Sequence, residues 1–187
     1  MLKTEQLGIG YQGRALQQDL NLAVRDGEML CLLGRNGTGK STLLKTLAGL
    51  LQPLAGAVSC DDIDIQNCSA TQRAKLISIV LTERLSVENT TVEDVVALGR
   101  YPYTSMLGNL TKEDMRIIDE ALADVQMTEY KKRFFNELSD GEKQRVLIAK
   151  TIAQQTTTIL LDEPTAHLDL PNRINTMLLL EIGRAHV

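Results

Sequence analysis

The 187 residues contain no tryptophan, and aromatic residues make up only 3% of them. Tyr11 is therefore a lone ring early in the chain. It either packs on a sheet or stacks on a base, and strand physics alone favours packing. Cysteine is scarce as well. Cys31, Cys60 and Cys68 are odd in number and lack metal-ligand spacing, which fits a reducing compartment. Cys31 reads as a small core residue. No apolar run reaches the length of a membrane span. Met1–Glu5 lacks the apolar core of a signal peptide, so any membrane role must come through a partner. Positive charge is not in excess: the net charge is -4, and bulk charge gives no support to a nucleic-acid footprint. What remains is 43% hydrophobic and 24% charged, the balance of a soluble globular protein of one domain or a domain with a small lobe.

The most informative stretch is Gly34-Arg35-Asn36-Gly37-Thr38-Gly39-Lys40-Ser41-Thr42. It reads G-x-x-x-x-G-K-S, the P-loop pattern. The run before it, Glu28–Leu33, is short and apolar and predicts a buried strand. The run after it, Leu43–Leu50, has helical spacing. A glycine-rich turn between strand and helix lets backbone N–H groups converge on phosphate oxygens. The helix N-terminus adds its unpaired N–H groups and positive dipole end. Lys40 can reach terminal phosphates, and the Ser41 hydroxyl can ligate Mg²⁺.

Around this motif the chain reads as follows. Residues from Leu2 to about Leu33 are β-rich, with period-two alternation at Leu7–Tyr11 and Leu20–Val24. Ala57–Cys60 and Ile63–Ile65 predict a hairpin about Asp61-Asp62. Ser69 and Gln72 form a capping-box pattern for a short helix through Lys75. Leu76–Leu81 is a buried-strand run ending at Thr82-Glu83-Arg84, polar groups at a strand's C-terminal edge, where open α/β sheets bind ligands. From Asn89 to Asn136 the pattern is helical. Thr90 or Thr91 caps Val92–Leu98, Gly99–Thr104 is a loop with two tyrosines, and Thr111 starts a longer helix. In that helix Ile117, Ile118, Ala121, Leu122 and Val125 form one core stripe.

Two later stretches carry chemistry. Leu138-Ser139-Asp140-Gly141-Glu142 has Ser139 as a natural N-cap with Glu142 at the capping-box position of a helix running to about Gln154. On helix physics this is first an ordinary cap and second an anion site. The strand Thr157–Leu161 ends in Asp162-Glu163-Pro164. Adjacent carboxylates at a strand end point in different directions. With a P-loop upstream, the first can hold Mg²⁺ and the second can orient or deprotonate a water.

These motifs, in this order and spacing, resemble the ATP-binding subunit of ABC transporters, from Leu2 to about Leu180. Leu138–Glu142 looks like the family signature L-S-G-G-Q. The resemblance implies an α/β fold: a P-loop NTPase core with an N-terminal antiparallel β subdomain and an inserted helical subdomain, incomplete at the C-terminus. It implies ATP and Mg²⁺ as cofactors, with Tyr11 stacking on adenine and Gly34–Thr42 binding the phosphates. Ser41, Asp162 and Thr82 would hold the metal, and Glu163 would be the general base. Ser139 and Gly141 would contact the γ-phosphate held by a second ATP-binding subunit in a head-to-tail homodimer. Ala166-His167-Leu168-Asp169 matches the loop that crosses that interface. Thr82 stands where the family usually has glutamine. Asp140 replaces a glycine and is expected to face away from phosphate, and Glu142 replaces glutamine.

Thr91–Tyr103 resembles the branch that imports iron-siderophores, haem or cobalamin, with Tyr101 and Tyr103 as contacts for membrane permease subunits. The implied function is an ATPase energising such import. It would sit at the cytoplasmic face of the plasma membrane, serve a periplasmic binding protein indirectly, and have no nucleic-acid partner. The alternatives are a soluble ABC ATPase of DNA repair or translation, or an inactive truncated fragment. The expected organisation is one ATP-binding domain over 1–187, with the core at about 1–85 and 155–180 and the helical subdomain at about 86–154. His167 and His186 match no family switch histidine. One codon choice for Glu181–Val187 resembles a sequencing adapter, so that tail is read as non-native, with little ATPase activity expected of the chain alone.

Overall fold

The computed structural model describes residues 1–11, 13–82, 87–105 and 108–164. They divide into two compact units: Met1–Ile79 with Thr156–Asp162, and Val80–Gln155 with residues 163–164.

The first unit is built on an antiparallel sheet. Its strands are β1 (Leu2–Tyr11), β2 (Arg14–Leu20), β3 (Ala23–Val24), β4 (Ala55–Cys60) and β5 (Ile63–Asp64). The order is β2-β1-β4-β5, with β3 also pairing with β1. Alternating apolar side chains of β1 and β4 need a covering layer. The helix α1 (Lys40–Leu47) provides it, burying Leu43, Leu44 and Leu47 with Leu7, Ile9 and Val58. Each such side chain removed from water contributes about 1.5–3 kcal/mol. The β4–β5 turn has Asp61 and Asp62 both at positive φ, 49° and 61°, the backbone of a two-residue I′ hairpin. Ser69 caps α2 (Ala70–Leu76) with a full capping box to Gln72. A separate pair of strands, β6 (Ile77–Val80) and β7 (Thr158–Leu161), ends just before Asp162.

Glu28–Leu33 departs from expectation. It is not a strand, Leu33 is 90% exposed, and Cys31 is exposed rather than in the core. A strand is defined by a partner, and among the described residues no segment pairs with this run. Of its apolar side chains Leu32 is partly buried against the core of this unit, whereas Met29, Leu30 and Leu33 are exposed. Leu20–Val24 also breaks at Asn21-Leu22, so β2 and β3 are distinct strands.

The second unit is helical. Thr91, Thr111 and Ser139 each close a capping box on α3 (Val92–Ala97), α4 (Lys112–Asp124) and α5 (Asp140–Ala153). The expected stripe of Ile117, Ile118, Ala121, Leu122 and Val125 is buried, packed on Val92, Val95 and Val96 of α3 and on Val146 and Ala149 of α5. Residues read as a loop after α3 form instead a 3-10 helix, Leu98–Tyr103, containing Pro102. A ring without an N–H is poorly suited to an α-helical interior, and the tighter turn takes over. Gly99 lets this turn lie against α5: a Cβ there would sit 2.4 Å from the Lys150 carbonyl oxygen.

Candidate functional site

Gly39 is the N-cap of α1, with φ 97° and no side-chain cap, so the first-turn N–H groups have no side-chain acceptor at the cap. The left-handed φ is one that only glycine adopts without strain. The loop is bound to itself by short bonds. Thr38 Oγ1 donates to the Arg35 carbonyl at 2.9 Å. Lys40 Nζ donates to the carbonyls of Gly34 at 2.8 Å and Arg35 at 2.9 Å. These bonds hold the ammonium against the first two residues of the loop. Gly34–Thr38 are exposed and Thr42 is buried.

Two side chains far apart in sequence meet beside this loop. Ser41 Oγ donates to Asp162 Oδ1 at 3.0 Å, and Asp162 is only 6% exposed. The hydroxyl comes from the first turn of α1 and the carboxylate from the end of β7. A hard divalent cation prefers such oxygen donors and completes its shell with phosphate and water oxygens. The donor pair thus fits Mg²⁺ bound together with a nucleotide.

Tyr11, at the end of β1, is 49% exposed, and its hydroxyl accepts from Thr42 Oγ1 at 3.3 Å. The ring is therefore beside the start of α1 rather than in the sheet core. Thr82 follows β6 and is exposed. Glu163 is exposed with φ 50°, a left-handed backbone that costs a non-glycine residue about 1–3 kcal/mol and recurs at functional positions.

In the helical unit, Ser139 N and Oγ both donate to Glu142 Oε2 at 2.7 Å, while Glu142 N donates to Ser139 Oγ at 3.4 Å. The Ser139 hydroxyl, foremost, holds the Glu142 carboxyl below the usual carboxylate range. Ser139 and Asp140 are exposed and Gly141 is buried. Tyr101 is 63% exposed, whereas the Tyr103 hydroxyl donates to the Gln154 carbonyl at 3.0 Å.

Sequence reasoning missed two residues that position these elements. Arg100 is 5% exposed; it donates through Nε to Asp114 at 2.8 Å and through Nη1 to the Ala153 carbonyl at 2.8 Å, with Tyr103 stacked 4.1 Å away. Gln17 Nε2 donates to the Thr38 carbonyl at 2.9 Å. Neither carries a local sequence signal, because each partner is remote in the chain. The expected interface loop at 166–169, Glu83, His167, His186 and the tail at 181–187 lie outside the described residues.

A family model described as ABC transporter matches residues 17–166. The chain is 44% identical over 180 residues to an uncharacterized ABC transporter ATP-binding protein of Methanocaldococcus jannaschii, covering 96% of this chain and 62% of that protein. It is 42% identical over 180 residues to the iron(3+)-hydroxamate import ATP-binding protein FhuC of Bacillus subtilis, covering 96% and 67%. Among solved structures it matches a dimeric post-hydrolysis ATP-binding cassette bound to ADP and Pi, with TM-score 0.80 and 27% identity, covering 96% of this chain and 81% of that one. The chain spans about two thirds of the length of these curated relatives.

Proposed function

This chain belongs to the ABC transporter ATP-binding family, and from that premise we propose that it is the ATP-binding and hydrolysing subunit of an importer for an iron complex or cobalamin. The observation that carries the reading is the Ser41–Asp162 bond beside the Lys40 ammonium, which joins the P-loop to the end of β7. The iron-hydroxamate relative supports the substrate class.

In this reading Gly34–Thr42 bind the phosphates through backbone N–H groups, and Lys40 exchanges its two carbonyl acceptors for terminal phosphate oxygens. Ser41 and Asp162, with Thr82, would hold Mg²⁺, which would supply positive charge against the negative charge of the phosphoryl group. Glu163 accepts a proton from the attacking water. Tyr11 turns from Thr42 to stack on adenine. Ser139 and Gly141 of α5 reach the γ-phosphate bound by a second copy, so two head-to-tail subunits share two sites. The whole chain forms one ATP-binding domain, its helical lobe presenting Tyr101 to the permease at the cytoplasmic face of the membrane, with a periplasmic binding protein as an indirect partner.

The test is Glu163→Gln in the subunit assembled with its permease. ATP affinity is expected to stay within about 2-fold, and turnover to fall by about 100-fold or more. Unchanged turnover removes Glu163 as the base. Activity that ignores the permease and responds to DNA or ribosomes overturns the importer reading.

A further inference from the structure

The phosphate loop is gripped from outside by β2. β1 and β2 pair with Ile9 opposite Gln17 and Gly10 opposite Ala15, so Leu16 is an extra residue on β2. In a regular strand consecutive side chains point to opposite faces. A bulge removes that constraint and re-aims them. Leu16 and Gln17 accordingly both reach the loop. A Cβ on Gly39 would lie 3.6 Å from Leu16 Cβ, and Gln17 Nε2 donates to the Thr38 carbonyl at 2.9 Å.

We propose that Gln17 is a positioning residue of the phosphate cradle, setting the direction of the Gly39 N–H through the Thr38 carbonyl. The Thr38–Gly39 peptide is planar, and the described residues contain no cis peptide bond. The carbonyl of Thr38 and the N–H of Gly39 therefore point in opposite directions. Drawing the carbonyl toward β2 turns the N–H away from β2, to the side on which the loop's N–H groups gather about an anion. If that peptide flips, a carbonyl oxygen faces the phosphate and repels it. Gln17 is half-buried, and it acts without touching the nucleotide.

The inference rests on Gly34–Thr42 being the phosphate-binding loop, and the experiment separates the two. Binding of ATP, ADP and inorganic tripolyphosphate is measured by calorimetry on wild type, Gln17→Met, Lys40→Ala and Tyr11→Ala. Methionine keeps length and neutrality and loses the carboxamide that makes the bond. Gln17→Met is expected to weaken all three ligands alike by about 5-fold, the scale of one hydrogen bond. Tyr11→Ala is expected to weaken ATP and ADP and leave tripolyphosphate unchanged. The Gly39 amide proton should move downfield with tripolyphosphate in wild type and move less in Gln17→Met at matched saturation. Affinities within 2-fold of wild type, a loss confined to the adenine-bearing ligands, or an equal Gly39 shift in both proteins each overturns the role of Gln17. Wild type and Lys40→Ala binding tripolyphosphate equally would instead sink the loop assignment.

Discussion

Ser41 and Asp162 are separated by 121 positions in sequence, yet the hydroxyl of one donates to the carboxylate of the other at 3.0 Å. Closing so long a loop costs entropy that grows only slowly with length. The cost is carried by the strand and helix that deliver the two groups. Both groups are oxygen donors of the kind a hard divalent cation prefers, and in the proposed function they share Mg²⁺.

That placement makes metal dependence the first prediction. Ser41→Ala and Asp162→Ala should each weaken binding of Mg²⁺–ATP by about 10-fold, the low end for losing a metal-site group. Binding of ATP in excess EDTA should change by less than 2-fold. If the two variants lose affinity equally with and without Mg²⁺, the pair serves the loop's fold and not the ion.

Lys40→Ala should weaken ATP by at least about 10-fold, because a charge-assisted contact to phosphate is lost. The loss should shrink as salt rises, since the contact is exposed to screening. Titrations at low and high ionic strength check both statements, and wild-type affinity in the variant counts against a phosphate contact.

The helical unit should lose stability in acid. Hydrogen bonds from Thr111, Thr91 and Ser139, in each case the leading cause, hold the carboxyls of Asp114, Asp94 and Glu142 below their ordinary values. A depressed folded-state value stabilises above the unfolded value, about pH 4, and the gain is lost as pH falls through the folded value. Helical circular dichroism should be flat from neutral pH to about pH 5 and decline below about pH 4. Asp114 also pairs with Arg100, both nearly fully buried. Asp114→Ala should therefore cost about 3 kcal/mol at pH 7 in denaturant titration, because it strands the guanidinium. It should also flatten the acid limb.

Gly99→Ala tests the close approach of the 3-10 helix to α5. The added methyl would meet a backbone carbonyl that cannot swing aside, and overpacking of this kind costs about 2 kcal/mol. Gly13→Ala is the control for the same atom added elsewhere. That glycine has open space around it, so its cost comes from its φ of 78° alone. A Gly99→Ala midpoint equal to wild type would show that the turn can shift off α5.

What could be read from sequence was local. The caps at Ser69, Thr91, Thr111 and Ser139 depend on a partner three residues away, and all four are present. The Asp61-Asp62 turn and the Ile117–Val125 stripe are similarly short-ranged. Glu28–Leu33 shows the limit: composition predicts burial, but burial needs neighbours, and Leu33 has almost none. Gly99–Thr104 reads in sequence as a loop with two tyrosines, and the partners of Arg100 at positions 114 and 153 come only with the packing of α4 and α5. Gln17 depends on a bulge that no pattern of hydrophobicity marks.

The two carbonyl acceptors already held by Lys40 have a thermodynamic consequence. In the proposed function, nucleotide capture is an exchange in which one set of oxygens is traded for another, so measured affinity would report the difference between them. On that reading the ammonium, already ordered by these bonds, would lose little rotamer freedom on capture, and the same carbonyls would reclaim it as product leaves. Strengthening those internal acceptors would speed discharge at the expense of tight capture, and weakening them would do the reverse.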